Sequence, residues 1–326
     1  MTMESFSLAA RVAFLCRPQN YPDAPETVEA IETRLSWVFL TPTHAWKLKK
    51  PLRYDHIDFS LPKARRADCE AEVHLNAELA PGVYHDVVPL TVGAGGRMRL
   101  GGPGPPIDWL VRMRRLPRRL CLEDQARAGR IDASGVERAA TSLARFYARA
   151  ERFPATGADE LGAAIIATAA ELHDLPLPRG AGIDTLTNRL VRWLHHHADL
   201  VTTRERVDAH GDLRPQHVYL GDPAVIIDRL TCSRALRILD PAEELAFLEL
   251  DCERLGAGWV GPRFRAACEA AAGSEAPAPL RAFYQARRAQ LWALLSGRHL
   301  LRGGTDQPWR ALATTYLALG LAALPR

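Results

Sequence analysis

The spacing of apolar positions changes its period along this 326-residue chain, and the change divides it in two. Up to about residue 115 the pattern is mixed. Residues 5–15 repeat apolar side chains at helical spacing, and residues 25–34 read as a second helix with Pro25 in its first turn. Ser36-Trp-Val-Phe-Leu40 is a β-type run, Thr41-Pro-Thr-His44 is a turn, and Ala45-Trp-Lys-Leu-Lys49 alternates with period two, which predicts a hairpin. The alternation puts Ala45, Lys47 and Lys49 on one face and Trp46 and Leu48 on the other. A helical stretch spans 63–79, with Glu72 beside an apolar stripe containing Leu75 and Leu79, and Pro81-Gly82 ends it. Strands over 84–91 and 107–113 flank a glycine-rich segment, 93–104. No helix follows that segment, so it reads as a hairpin loop rather than a phosphate cradle. From about residue 134 the period is helical, with helices expected near 134–150, 157–174, 182–200, 241–255, 262–273, 277–300 and 306–323.

One stretch interrupts the helical half: HGDLRPQHVYLGDPAVIID, residues 210–228. Val218-Tyr-Leu220 and Ala224-Val-Ile-Ile227 are β-type runs separated by Gly221-Asp-Pro223, which predicts a short hairpin. Asp228 closes the second run, and the hairpin is expected to bring it back toward the segment carrying Asp212. Two carboxylates converging beside buried strands are costly unless a cation compensates them. That chemistry suits phosphoryl transfer from a metal-bound nucleotide, in which one carboxylate takes the acceptor proton and another holds the metal. The kinase signature adds a His two residues before the first Asp and a metal-binding Asn five residues after it. His210 fits, while the Asn position is occupied by His217.

Composition narrows the class. With 47% hydrophobic and 25% charged residues the chain reads as globular, and no apolar run is long enough for a membrane span. The N-terminus lacks a basic region and cleavage site of the secretory kind. Six scattered cysteines form no CxxC pair, which suits reduced thiols in a cytoplasmic protein. A net charge of +4 does not argue for nucleic acid, and the basic run over 112–119 lacks interleaved aromatics. The kind of positive charge is more informative. Only four lysines occur against 38 arginines, and three of the four, Lys47, Lys49 and Lys50, lie in one WKLKKP segment. A compact ammonium group retained in one strand points to a phosphate contact. His195-His-His197 is not read as a metal site, because adjacent helical positions point apart.

In order, ETRLSWVFLTPTHAWKLKKP, CEAEVHLNAELAP, WLVRMRRLP, HGDLRPQHVYL and IIDRLTCSRALRILDPAEELAFLELD resemble the aminoglycoside phosphotransferase family of the protein-kinase-like fold. The likeness is to the bacterial group in which this module is often fused to a C-terminal P-loop kinase domain; no GxxxxGK[ST] occurs in this sequence. The resemblance implies an α+β, bilobal fold: an N-lobe with an antiparallel sheet over 1–115 and a mainly helical C-lobe over 116–326. It implies Lys47 as the phosphate lysine, with Lys49 as the alternative on the same face. It further implies Glu72 as that lysine's partner, with Glu70 second, and the region of Met113 as the adenine-lining hinge. Asp212 takes the place of the catalytic base and His210 that of a loop organiser. Asp228 takes the metal-binding position. Asp240 and Glu244 match the two acids of the DPAxDLA-like segment.

ATP and Mg²⁺, with Mn²⁺ as a substitute, are the implied cofactors, and a hydroxyl of a small molecule is the implied acceptor. Two departures leave a rival reading open. No GxGxxG loop covers the phosphates, the early strands carrying Ser36 and Thr41 instead, and His217 stands where Asn is expected. Imidazole nitrogen suits softer metals than Mg²⁺, so His217 is either an altered metal ligand or a structural residue. The rival is a nucleotide-binding module of weak catalytic power that regulates a partner.

Overall fold

The computed structural model describes residues 6–54, 57–302 and 306–324. Ser5, the expected start of the first helix, and the rest of the N-terminal pentapeptide lie outside them. The chain divides into two compact units, Met1–Leu120 with Val225–Ala235, and Cys121–Ala224 with Leu236–Arg326.

The first unit is a sheet with helices. Its elements are α1 (Leu8–Leu15), β1 (Glu29–Glu32), β2 (Ser36–Leu40), β3 (His44–Lys49), β4 (Arg53–Tyr54), β5 (Ile57–Asp58), α2 (Pro62–Asn76), β6 (Tyr84–Val92), β7 (Met98–Leu100) and β8 (Pro106–Arg114). Six of the strands form one antiparallel sheet in the order β1-β2-β3-β8-β6-β7. The pleat sends Trp46 and Leu48 into a core with Leu15, Tyr21, Phe39, Leu90 and Leu110. Burying each such side chain contributes about 1.5–3 kcal/mol. The same pleat obliges Lys47 and Lys49 to take the other face.

Two expectations for this unit are corrected. The stretch expected as a helix over 25–34 is strand β1, paired antiparallel with β2 from Glu29↔Leu40 to Glu32↔Trp37. Sheet pairing there overrides the helical preference of Glu and Ala. The glycine-rich loop also holds a strand of its own, β7, joined to the edge of β6. Gly104 (φ +131°) lies so close to the Val92 carbonyl that a β-carbon has no room.

The second unit is mainly helical. It comprises α3 (Leu122–Arg127), α4 (Ala133–Arg149), β9 (Arg152–Phe153), α5 (Ala158–His173), α6 (Ile183–His196), α7 (Ala198–Thr202), β10 (Arg206–Asp208) and β11 (Val218–Tyr219). After β12 (Val225–Ile226), which belongs to the first unit, come β13 (Ile238–Leu239), α8 (Pro241–Arg254), α9 (Val260–Ala272), α10 (Ala278–Gly297) and α11 (Asp306–Ala323). Each of the seven helices read from the apolar period is present, the 182–200 stretch being broken at His197 into α6 and α7. Their core gathers Leu186, Leu190, Phe247, Phe283 and Tyr316 among others. Strands β9, β10 and β13 form a small antiparallel sheet that leads into His210. The mixed composition, an antiparallel sheet in one unit and helices in the other, is the α+β class expected from the sequence. No described helix is long and apolar enough to cross a membrane.

Candidate active site

In the first unit, β3 and α2 meet through charge. The Lys47 ammonium donates to Glu72 Oε1 at 2.8 Å and to Asp228 Oδ1 at 2.6 Å. Lys49 donates to the other Glu72 oxygen at 2.5 Å and also pairs with Asp68. Both lysines thus reach one glutamate, as their shared face requires, but Lys47 is the one bonded to Asp228. Glu70, the second choice for the glutamate, instead pairs with Arg66 on the exposed side of α2.

This cluster is strongly buried, and its charges depend on one another. Burial pushes the Glu72 carboxyl up, yet the ammonium groups of Lys47 and Lys49 outweigh it and hold the group below the usual range. Burial likewise opposes the charge on Lys47, but Asp228 and Glu72 keep its ammonium well above the ordinary lysine value. Two ammonium groups, Lys47 and Lys49, here meet three carboxylates, Asp68, Glu72 and Asp228. The Asp228 side chain is 41% exposed, against 8% for Asp68 and 2% for Glu72. Asp228 is therefore the most accessible carboxylate of the three, which suits a cation bound from solvent.

Two residues that sequence reasoning missed hold Asp228 in place. The Tyr84 hydroxyl accepts the Asp228 N–H at 2.9 Å, and Asn76 Oδ1 accepts the Arg229 N–H at 2.9 Å. Asp228 itself has φ +64°, a left-handed conformation uncommon for a residue other than glycine, and these bonds support it. Neither Tyr84 nor Asn76 belongs to a spaced motif, although Asn76 lies one helical turn after Glu72 on α2. Met113 is buried in β8, where Ala45 and Tyr84 are its cross-strand neighbours. Ser36 and Thr41 are buried, and the Thr41 hydroxyl and the His44 backbone close the β2–β3 turn.

The second unit carries the HGD loop. Gly211 adopts φ +87°, and its N–H donates to Glu244 Oε1 at 2.5 Å. Glu244 Oε2 accepts the His210 N–H at 3.1 Å and the Tyr147 hydroxyl at 2.5 Å. A buried carboxylate on α8 thus holds the loop by its backbone, although burial drives the Glu244 pKa up. His210 is fully buried, and its Nδ1 accepts the Asp212 N–H at 3.3 Å. His217 is buried too, and its Nδ1 donates to the Asp212 carbonyl at 2.8 Å. Both histidines therefore brace the backbone at Asp212. Asp240 caps α8 through the Ala242 N–H, bonds Arg204 at 2.5 Å and accepts the Tyr284 hydroxyl at 3.0 Å. Beside the loop is a small cavity, open to solvent, lined by Gly211, Asp212, Leu213, Glu244, Phe247, Arg288 and Trp292.

Among the described residues no group of three or more His, Cys, Asp or Glu side chains could hold a metal by itself. That includes His195 and His196, which lie on the exposed end of α6, and His197, stacked on Trp193. A hard ion such as Mg²⁺ keeps several waters and takes one or two carboxylates with substrate phosphates, so a single accessible Asp228 carboxylate fits it. Among the described residues the cysteines form no disulfide.

No family model matches the chain. Uncharacterized proteins of Mycobacterium bovis and Mycobacterium tuberculosis are 31% identical to it over 289 residues, 84% of this chain. The chain spans 55% of the length of those relatives. A choline/ethanolamine kinase family protein from Mesorhizobium loti superimposes with a TM-score of 0.57, at 17% identity, covering 97% of this chain and 95% of that one. A choline kinase from Streptococcus pneumoniae gives 0.54 at 15% identity, covering 90% and 93%. A glucosamine kinase in complex with glucosamine, ADP and inorganic phosphate gives 0.50 at 15% identity, covering 89% and 79%. The fold of this chain is the kinase-like fold of these proteins.

Proposed function

We propose that this chain, built on the fold of small-molecule kinases, is an ATP-dependent phosphotransferase of the aminoglycoside phosphotransferase type that phosphorylates a hydroxyl of a small molecule. The observation that carries this reading is Lys47 bonded at once to Glu72 and Asp228. A purely structural ion pair needs no third, solvent-accessible carboxylate. In this reading Glu72 fixes the Lys47 ammonium, which contacts the nucleotide phosphates, and β8 near Met113 lines the adenine. Asp228 would hold Mg²⁺, which when bound would supply neutralising charge for the phosphates.

Asp212 orients the acceptor hydroxyl and takes its proton. The acceptor oxygen bonds to the γ-phosphorus as the bond to the β,γ-bridging oxygen breaks, and ADP leaves. Glu244, His210 and His217 act on this step through the backbone they hold, since they bond the N–H or carbonyl groups around Asp212. Preorganised positioning of this kind carries most of the work in phosphoryl transfer. The glucosamine kinase neighbour, crystallised with ADP, supports a nucleotide site in this fold.

The second reading, a nucleotide-binding module without efficient turnover, draws on His217 at the Asn position. Melting with ATP and Mg²⁺, followed by ADP release across a panel of hydroxylated acceptors, tests both. Stabilisation with acceptor-dependent ADP release supports the enzyme, and stabilisation without release supports the binder. No stabilisation at millimolar ATP counts against both.

A further inference from the structure

The cavity beside Asp212 carries information about the acceptor, in the second unit alone. Arg288, from α10, lines it and is 8% exposed. Its Nε pairs with Glu243 Oε1 at 2.8 Å. Glu243 is in any case shared with Arg287, so two guanidinium groups serve one carboxylate. Glu244, the other acid lining the cavity besides Asp212, has both oxygens occupied by Gly211, His210 and Tyr147. Asp212 is committed to the hydroxyl, so the charged recognition left in the cavity comes from Arg288.

The aromatic wall points the same way. Trp292 lines the cavity and stacks on Phe247 at 4.9 Å with the rings 1° from parallel. Such a pair is a natural seat for an ammonium group. Here the Arg214 guanidinium already lies 4.0 Å over the Trp292 ring, and its own Nε is buried without a hydrogen-bond partner. A cationic acceptor would compete with one arginine for the ring and face the charge of another. A fork of N–H donors instead matches a planar or tetrahedral oxyanion.

We propose that the acceptor bears an anionic oxygen group, carboxylate or phosphate, beside the hydroxyl that is phosphorylated, and that Arg288 binds this group. The proposal rests on the phosphotransferase reading and narrows its substrate class away from amino sugars and onium alcohols.

The test uses the full chain, with ADP and Mg²⁺ present, and titrates gluconate, glucose 6-phosphate, glucose, glucosamine and choline while following the melting temperature. Gluconate or glucose 6-phosphate should stabilise saturably, the stronger of the two identifying the anion as carboxylate or phosphate, and the neutral and cationic compounds should not. Arg288→Gln should weaken that binding about tenfold or more, the loss expected for a hydrogen bond to a charged group, with ATP affinity unchanged. Arg288→Lys, which keeps the charge facing Glu243, should fold even if the Gln variant does not, and should bind the anion with intermediate affinity. Stronger binding of glucosamine or choline, no anion binding at millimolar concentration, or anion binding untouched in both variants would overturn the proposal. ATP melting in parallel isolates the underlying reading: a protein that binds ATP but no anion refutes the acceptor class alone.

Discussion

Lys47 and Asp228 lie 181 positions apart in sequence and 2.6 Å apart in space. Their bond separates the two lysines that the sequence leaves as alternatives. Lys49 is the more buried, with a side chain 5% exposed against 16%, and its partners are Glu72 and the buried Asp68. Lys47→Met should therefore lower turnover by about a hundredfold or more, as loss of a transition-state charge contact does, with a modest change in melting temperature. Lys49→Met should leave Asp68 buried and unpaired and cost about 3–5 kcal/mol of stability. Denaturant melts and ADP release on both variants check the split; the opposite split would exchange the roles of the two lysines.

Asp212→Asn should lower acceptor-dependent ADP release by about 10²–10⁴-fold, the usual worth of a general base, while ATP still raises the melting temperature as in wild type. Turnover at the wild-type rate would remove Asp212 from the chemistry.

The depressed pKa of Glu72 gives a pH dependence with a definite sign. Its folded-state value lies below the ordinary 4.5, so the folded protein releases that proton more readily than the unfolded chain. The stability this contributes is fully present above about pH 4.5 and disappears as pH falls through the lower folded value. Glu72→Gln should thus be far less stable than wild type at neutral pH, with the gap in melting temperature closing as the solution is acidified below pH 4.5. A gap independent of pH would mean that Glu72 is not ionised in the fold.

His217 uses Nδ1 on the Asp212 carbonyl, and its Nε2 lies 3.4 Å from the Gln216 amide nitrogen. His217→Asn should accordingly leave the preference between Mg²⁺ and Mn²⁺ unchanged and lower kcat through a looser loop. A variant that gained Mg²⁺ preference and lost a pH-dependent step in metal affinity would identify the imidazole as a ligand instead.

Much of this arrangement is legible before folding, and the reasons differ by residue. Lys47 and Lys49 stand out because ammonium groups are scarce in the chain and the strand alternates. Glu72 stands out through its place beside an apolar helical stripe. The long helices announce themselves because each buries one face over several turns, so period and environment agree. Strand β1 is hidden by its residues. Glu29-Ala-Ile-Glu32 has helix-forming composition, and only its partner β2 makes it a strand. Tyr84 and Asn76 are hidden for another reason: each contributes a single polar atom to the backbone near Asp228, and a single atom leaves no spacing to detect. The assignment of Arg214 to the Trp292 ring depends on helix α10 folding beside the HGD loop, a contact no local pattern encodes.

The first unit is not contiguous: it takes back Val225–Ala235 after 104 residues, 121–224, have gone to the second. During synthesis at roughly 5–20 residues per second, those residues take about 5–20 s to emerge. For that interval Lys47 lacks Asp228, one of the two carboxylates it bonds in the folded protein. The cluster of Lys47, Lys49, Asp68 and Glu72 is thus encoded before the residue that completes it.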